Sequence, residues 1–246
     1  MSEKILFEVR DQIAWATLNR PEKLNPIDEE VLERMIEIAA RVSSDDDIRA
    51  LVLTGAGRAF SAGGDIAEWR IQEKDKAEAA FDAELGLWQE LSRRMIGMRK
   101  PTLAAVNGYA LGGGFEFALA CDMRIASTSA RLGLPDIGLG YSPTSGMTYL
   151  LPRIIGLGRA LKLALLPDPV DAEEALGMGL VTQVVEDDQL IETAQEVALR
   201  IASFAPQAVM FNKRSFYLGS ESSFETVLAL EHEYNLASFR SSLLGE

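Results

Sequence analysis

Two glycine clusters and two carboxylates hold the chemistry this sequence could perform. Gly63-Gly64 and Gly112-Gly113-Gly114 each follow a short apolar stretch and lie near a helix start. Glycine permits positive φ and close backbone approach, so such turns can aim N–H donors at an anion. Two donors converging on one oxygen form an oxyanion hole, although either cluster alone is equally a tight turn. Glu116 stands two residues after Gly114, inside the apolar string Phe115-Glu116-Phe117-Ala118-Leu119-Ala120. There its carboxylate would be partly desolvated, with a raised pKa suited to acid–base work. A glutamate stabilised at a helix start and pointing to water is the alternative. Asp136, in Leu134-Pro135-Asp136-Ile137-Gly138, is either a second acid or a turn residue after proline. Local sequence does not choose.

Other chemistries are excluded by what the chain lacks. A single histidine, His232, and a single cysteine, Cys121, remove multi-His or all-Cys metal centres and an internal disulfide framework. No metal is expected. No G-x-G-x-x-G occurs, since Gly55-Ala56-Gly57 is followed three residues later by Phe60, and no lysine follows the glycines as a P-loop requires. A net charge of −13 argues against attraction to nucleic acid or anionic lipid. The N-terminus enters a strand pattern without an apolar signal core, and the longest uncharged run, residues 137–152, is too short for a bilayer. The expectation is a cytoplasmic protein that meets no membrane.

The elements that must position these residues follow from periodicity. Residues 5–9 and 13–18 alternate as a β-hairpin, and Asp28 caps a helix whose Val31, Leu32, Met35, Ile38, Ala39 and Val42 recur at helical spacing. Short apolar strands are expected at 50–54, 102–106 and 123–126, and helices at 76–98 and 115–120. The face Phe81, Leu85, Trp88, Leu91, Met95 reads as a core stripe; Trp69, Phe81, Leu85, Leu87 and Trp88 as a pocket lining is the alternative. Strands alternating with helices give an α/β class. Beyond residue 157 the chain turns helical, at 159–165, 171–176, 188–203, 207–218 and 223–239, with one strand at 180–185. The division expected is a core over 1–190 and a helical region over 191–246.

Six stretches, in order, carry a likeness: Asn19-Arg-Pro-Glu-Lys-Leu-Asn25, Ala59-Phe-Ser-Ala-Gly-Gly-Asp-Ile66, the run from Lys100 to Gly114, Ala120-Cys-Asp122, Leu134-Pro-Asp-Ile-Gly138 and Leu151-Pro-Arg153. Through them the chain resembles the crotonase, or enoyl-CoA hydratase/isomerase, superfamily over nearly its whole length. The resemblance implies a spiral of ββα units, a C-terminal helical region used in a homotrimer or dimer of trimers, and acyl-CoA thioester substrates reacting through an enolate. It implies an oxyanion hole from the N–H groups of Gly64 and Gly113, and coenzyme A contacts along Lys23, Leu24, Arg58, Ala62, Asp65 and Ile66. Arg58 is as readily a solvated loop residue. No cofactor is expected beyond the coenzyme A of the substrate itself.

In the hydratases of that family two glutamates hold one water; Glu116 matches the first and Asp136 falls on the second, one carbon shorter. In the hydratase reading Glu116 delivers or removes the α-proton and Asp136 activates or accepts the water. An aspartate withdraws its carboxylate by roughly 1.5 Å, a misplacement that can cost about 10²-fold unless something compensates. Some family isomerases carry an acid where Thr144 stands, and the Lys- and Phe-bearing tail by which many relatives cover coenzyme A has no match here. The reading is an enoyl-CoA hydratase-like lyase. Double-bond isomerisation, or hydration or hydrolysis of a cyclic acyl-CoA, is the alternative, and an acyl-CoA-binding member with lapsed chemistry is the non-enzymatic one.

Overall fold

Strands β1 (Ile5–Arg10) and β2 (Ile13–Leu18) pair antiparallel across Asp11 and Gln12, both at positive φ. That is the turn geometry whose twist matches a hairpin. A computed structural model describes residues 3–65 and 74–240, side chains included except at 74–77. β3 (Ala50–Gly55), β5 (Thr102–Val106), β7 (Met123–Ser127) and β10 (Gln183–Val185) extend the hairpin into a six-stranded sheet, each added strand parallel to the one before. A second sheet runs β4 (Ala59–Ser61), β6 (Tyr109–Leu111), β8 (Arg131–Gly133), β9 (Val170–Asp171). The chain thus lays one strand in the large sheet and the next in the small one, three times over, which is the spiral of ββα units. The small-sheet strands, two or three residues each, are too short to show a period and have no counterpart in the sequence reading.

Helix α1 (Glu29–Ser44) starts where the Asp28 side chain accepts the Val31 N–H at 3.0 Å, an N-cap, and buries the six expected apolar residues. α2 (Lys74–Gly97) lies along α1, and α3 (Gly113–Ala120) begins two residues before the expected 115. Between the sheets and these helices sits one core, including Leu32, Met35, Phe60, Leu91 and Phe115. The other face of the large sheet, with Ile13, Trp15, Val52 and Leu103, is covered by α7 (Leu190–Ala202) through Leu190, Ala194 and Ala198. Burial on both faces is why β3 and β5 read as continuous apolar runs.

α4 (Met147–Ile155), α5 (Leu157–Leu165) and α6 (Ala172–Met178) precede α7. α4 overlaps the end of the uncharged run 137–152, where no helix is expected; Pro152 lies inside it, giving up one N–H donor without ending the helix. α8 (Pro206–Gly219) and α9 (Phe224–Phe239) pack on each other, with Phe211 and Tyr234 stacked at 4.2 Å. Lys213 and Tyr217 of α8 hold Asp122, just before β7, at 2.8 and 2.9 Å. Phe216 and Phe224 remain largely exposed, at 81% and 73%. No helix among the described residues is long and apolar enough to cross a membrane.

Candidate active site

The two glycine turns leave the ends of β4 and β6, which are parallel neighbours, so the turns emerge side by side. Gly63 takes φ +100°, where a side chain is strained, and a Cβ there would come within 2.9 Å of the Leu111 carbonyl and 3.3 Å of Gly113 N. Only glycine lets the first turn close on the second. The N–H groups of Gly64 and Gly113 donate to no other described residue. Gly113 opens α3, so its N–H has no intrahelical acceptor and lies at the positive end of the helix.

The residues around 19–28 brace this arrangement. Gly63 O accepts the Ile27 N–H and Ile27 O accepts the Asp65 N–H, each at 2.9 Å. Arg20 joins Asp28 (2.8 Å) to Asp65 (3.1 Å). Asn25, 1% exposed, accepts the Arg20 N–H and donates to the carbonyls of Ala56, Ala59 and Phe60. Leu24 is held at φ 64°, an uncommon conformation for a bulky residue, and its carbonyl accepts the Ala62 N–H.

Glu116 projects from the first turn of α3 and is 4% exposed. Its Oε1 accepts the Thr144 N–H (2.9 Å); its Oε2 accepts the Thr144 hydroxyl (3.0 Å) and the Ser145 N–H (2.9 Å). Burial raises its pKa, and the bonds from Ser145 and Thr144 pull it partly back. The helix-start alternative that points to water is not what forms: this carboxylate faces inward.

Asp136 lies in a 3₁₀ turn, Pro135–Leu139, and its carboxylate rests on Gly112, where a Cβ would stand 2.9 Å from Oδ1. Its Oδ2 is buried with no hydrogen-bond partner among the described residues, and burial raises its pKa. Gly64, Gly113, Glu116 and Asp136 line one cavity of about 540 Å³, open mouth included, together with Phe81, Leu85, Trp88, Leu139 and Tyr141. Several polar groups of its wall, Tyr141 and Ser142 among them, escaped the sequence reading, and two of these make bonds that matter at the site. One is Glu84, which accepts the Trp88 indole N–H at 3.3 Å; the other is Thr144 in its role toward Glu116. Thr144 is 28 positions from its carboxylate, so no local spacing could announce the bond.

The expected pocket lining divides. Phe81, Leu85 and Trp88 reach the cavity, Leu87 packs on the core, and Trp69 lies outside the described residues. Of the residues tied by resemblance to coenzyme A, Lys23 is exposed on the turn Pro21–Lys23 and Leu24 is half-buried beside Ala62. Arg58 is exposed on the adjoining turn, where Gly57 meets Pro21. Asp65 pairs with Arg20 within the protein, and Ile66 lies outside the described residues.

The sequence profile of the enoyl-CoA hydratase/isomerase family matches residues 8–242. The chain belongs to the enoyl-CoA hydratase/isomerase family. It is 40% identical over 230 residues to the short-chain-enoyl-CoA hydratase of Clostridium acetobutylicum, covering 93% of this chain and 87% of that one. It is 37% identical over 242 residues to the 1,2-epoxyphenylacetyl-CoA isomerase of Escherichia coli, covering 98% and 92%. The crystal structure of an enoyl-CoA hydratase from Bacillus anthracis superposes with a TM-score of 0.91 at 33% identity, covering 98% of this chain and 92% of that one. This member of the family thus has both hydratases and an isomerase among its relatives, on a shared crotonase fold.

Proposed function

We propose that this enoyl-CoA hydratase/isomerase family member adds water across the α,β double bond of an acyl-CoA thioester. The observation that supports it best is two carboxylates, one on each of two elements, lining a single cavity with two unpartnered backbone N–H groups. The thioester oxygen accepts from Gly64 N–H and Gly113 N–H, which stabilise the enolate as charge moves onto it. Water adds at the β carbon, loses a proton to one carboxylate, and the other carboxyl delivers a proton to the α carbon.

The hydrogen bonds argue for dividing this work in the opposite sense to the reading from sequence. Three donors on Glu116 favour its ionised form, whereas Asp136 has a buried oxygen with none. A proton shared by the pair therefore resides on Asp136. Glu116 then takes the proton from water, and Asp136 protonates the α carbon.

Coenzyme A runs along Lys23, Leu24, Arg58, Ala62, Asp65 and Ile66 in this reading. No cofactor is used beyond it, and the protein works in the cytoplasm. The exposed phenylalanines of α8 and α9 are consistent with a homotrimer or dimer of trimers. A second reading, double-bond isomerisation, is favoured by the free Oδ2 of Asp136, which alone could carry a proton between two carbons. The test is incubation with linear, branched and ring-bearing enoyl-CoA thioesters in ¹⁸O-water, followed by mass spectrometry. Products heavier by one labelled water are expected; a shifted double bond with no mass gain would replace hydration by isomerisation.

A further inference from the structure

The bonds on Glu116 are of two kinds. Thr144 N–H and Ser145 N–H are backbone donors that any residues in this turn could supply, whereas Thr144 Oγ1 is the side-chain donor to Oε2. A glutamate's terminal torsion is broad, so a carboxylate held through its oxygens by one rigid turn gains an orientation that packing alone does not give it. Thr144 also forms part of the cavity wall, so its hydroxyl meets Glu116 beside the cavity rather than in the core.

We propose that Thr144 is a positioning residue for Glu116, its hydroxyl fixing the carboxylate in the plane from which it takes the proton of the attacking water. This rests on the reading of Glu116 as the base. A hydrogen bond to an ionised group is among the stronger ones and favours the charged form, so the hydroxyl also keeps Glu116 ionised to lower pH. The other titratable groups on the cavity wall are Glu84 of α2, Asp136 of the 3₁₀ turn and Tyr141, with no basic side chain among the described lining residues. Burial disfavours ionisation of Glu116, and the donors of the 144–145 turn are the opposing influence.

The experiment compares Thr144→Val, which keeps the shape and removes the hydroxyl, with Thr144→Ser, which keeps the hydroxyl. The substrate is the enoyl-CoA thioester most rapidly hydrated in the panel above, with kcat and KM followed across pH. Thr144→Val should lower kcat about tenfold, leave KM within about twofold, and move the acid limb upward by about half to one pH unit. Thr144→Ser should return both quantities towards the parent. An unmoved acid limb in Thr144→Val overturns the proposal. So does a Thr144→Ser as impaired as Thr144→Val, which would assign the effect to the lost methyl contact. If Thr144→Val does not fold, Thr144→Ala is read by the same limb. Glu116→Gln, assayed in parallel, separates the two levels: full activity there removes the base assignment itself, whereas an inactive Glu116→Gln beside an unaffected Thr144→Val removes only the role of the hydroxyl.

Discussion

Adding one methyl group at Gly113 tests the oxyanion assignment while leaving the N–H in place. A Cβ at this position would stand 2.3 Å from Cη2 of Trp88 and 2.9 Å from Cζ2 and Cζ3. Ordinary contact begins near 3.4 Å, so the overlap is about 1.1 Å. The indole has little room to retreat: it is 4% exposed, packed edge-on against Phe117 at 5.1 Å, and bonded to Glu84 through Nε1. Relief must be shared between the ring and the first turn of α3, at an overpacking cost of about 1–3 kcal/mol. If half the displacement falls on the backbone, the Gly113 N–H moves by about 0.5 Å, and with about 10²-fold lost per ångström of misplacement kcat falls about tenfold. Outright loss of the donor sets the upper limit, about 10²–10³-fold. Gly113→Ala is therefore expected to lose 10- to 100-fold in kcat with a small change in KM, measured as enoyl-CoA hydration under saturating substrate. Combining it with Trp88→Phe, which removes the clashing atoms, should recover part of the loss. Wild-type kcat in Gly113→Ala would refute the reasoning, because the N–H could not then be where charge develops.

Glu116→Gln and Asp136→Asn should each lower kcat by about 10²-fold or more while sparing acyl-CoA affinity, read by calorimetric titration beside turnover. If both retain near-parental rates, the acid pair is misassigned. The profile of kcat/KM against pH should be bell-shaped: activity falls as pH drops through the raised pKa of Glu116, which must be ionised, and falls again as pH rises through that of Asp136, which must carry the proton. Both limbs belong to the pair and should lie above the ordinary carboxylate range; a flat profile from about pH 5 to 9 would contradict this. Asn25→Ala removes the side-chain partner of the Arg20 N–H and of the carbonyls of Ala56 and Phe60, and leaves the Ala59 carbonyl only the longer bond from Asn107 Nδ2 at 3.3 Å. It should cost about 2–3 kcal/mol in urea unfolding, and an unchanged midpoint would show the loop is braced elsewhere.

What the sequence made legible, and what it did not, divides by the range of the interaction. The hairpin, the Asp28-capped helix and the buried parallel strands each repeat a period within one element, and each forms close to where periodicity puts it. Glu116 and the glycines were visible for the same reason: a carboxylate inside an apolar helix start is a local anomaly. The small sheet was not visible, because strands of two or three residues owe their existence to neighbours about 20 to 50 positions away rather than to their own pattern. The acids themselves show the same limit. That Glu116 and Asp136 are both carboxylates is written in the sequence, but which one holds the proton depends on donors. Thr144 and Ser145 reach Glu116 across 28 and 29 positions, and no described group reaches Oδ2 of Asp136. Spacing therefore names the residues that can exchange a proton, while the direction of exchange is set by which of them the fold supplies with hydrogen bonds. The shortened side chain at 136 belongs to the same account. An aspartate laid on Gly112 has an oxygen that no donor satisfies, which favours a neutral acid more than an ionised base. Asp136→Glu then discriminates: a carboxylate one carbon longer is pushed off the Gly112 surface towards the cavity and its solvent, so its pKa should fall and the alkaline limb of the profile should move to lower pH. An alkaline limb that stays in place would mean that some group other than Asp136 carries the proton.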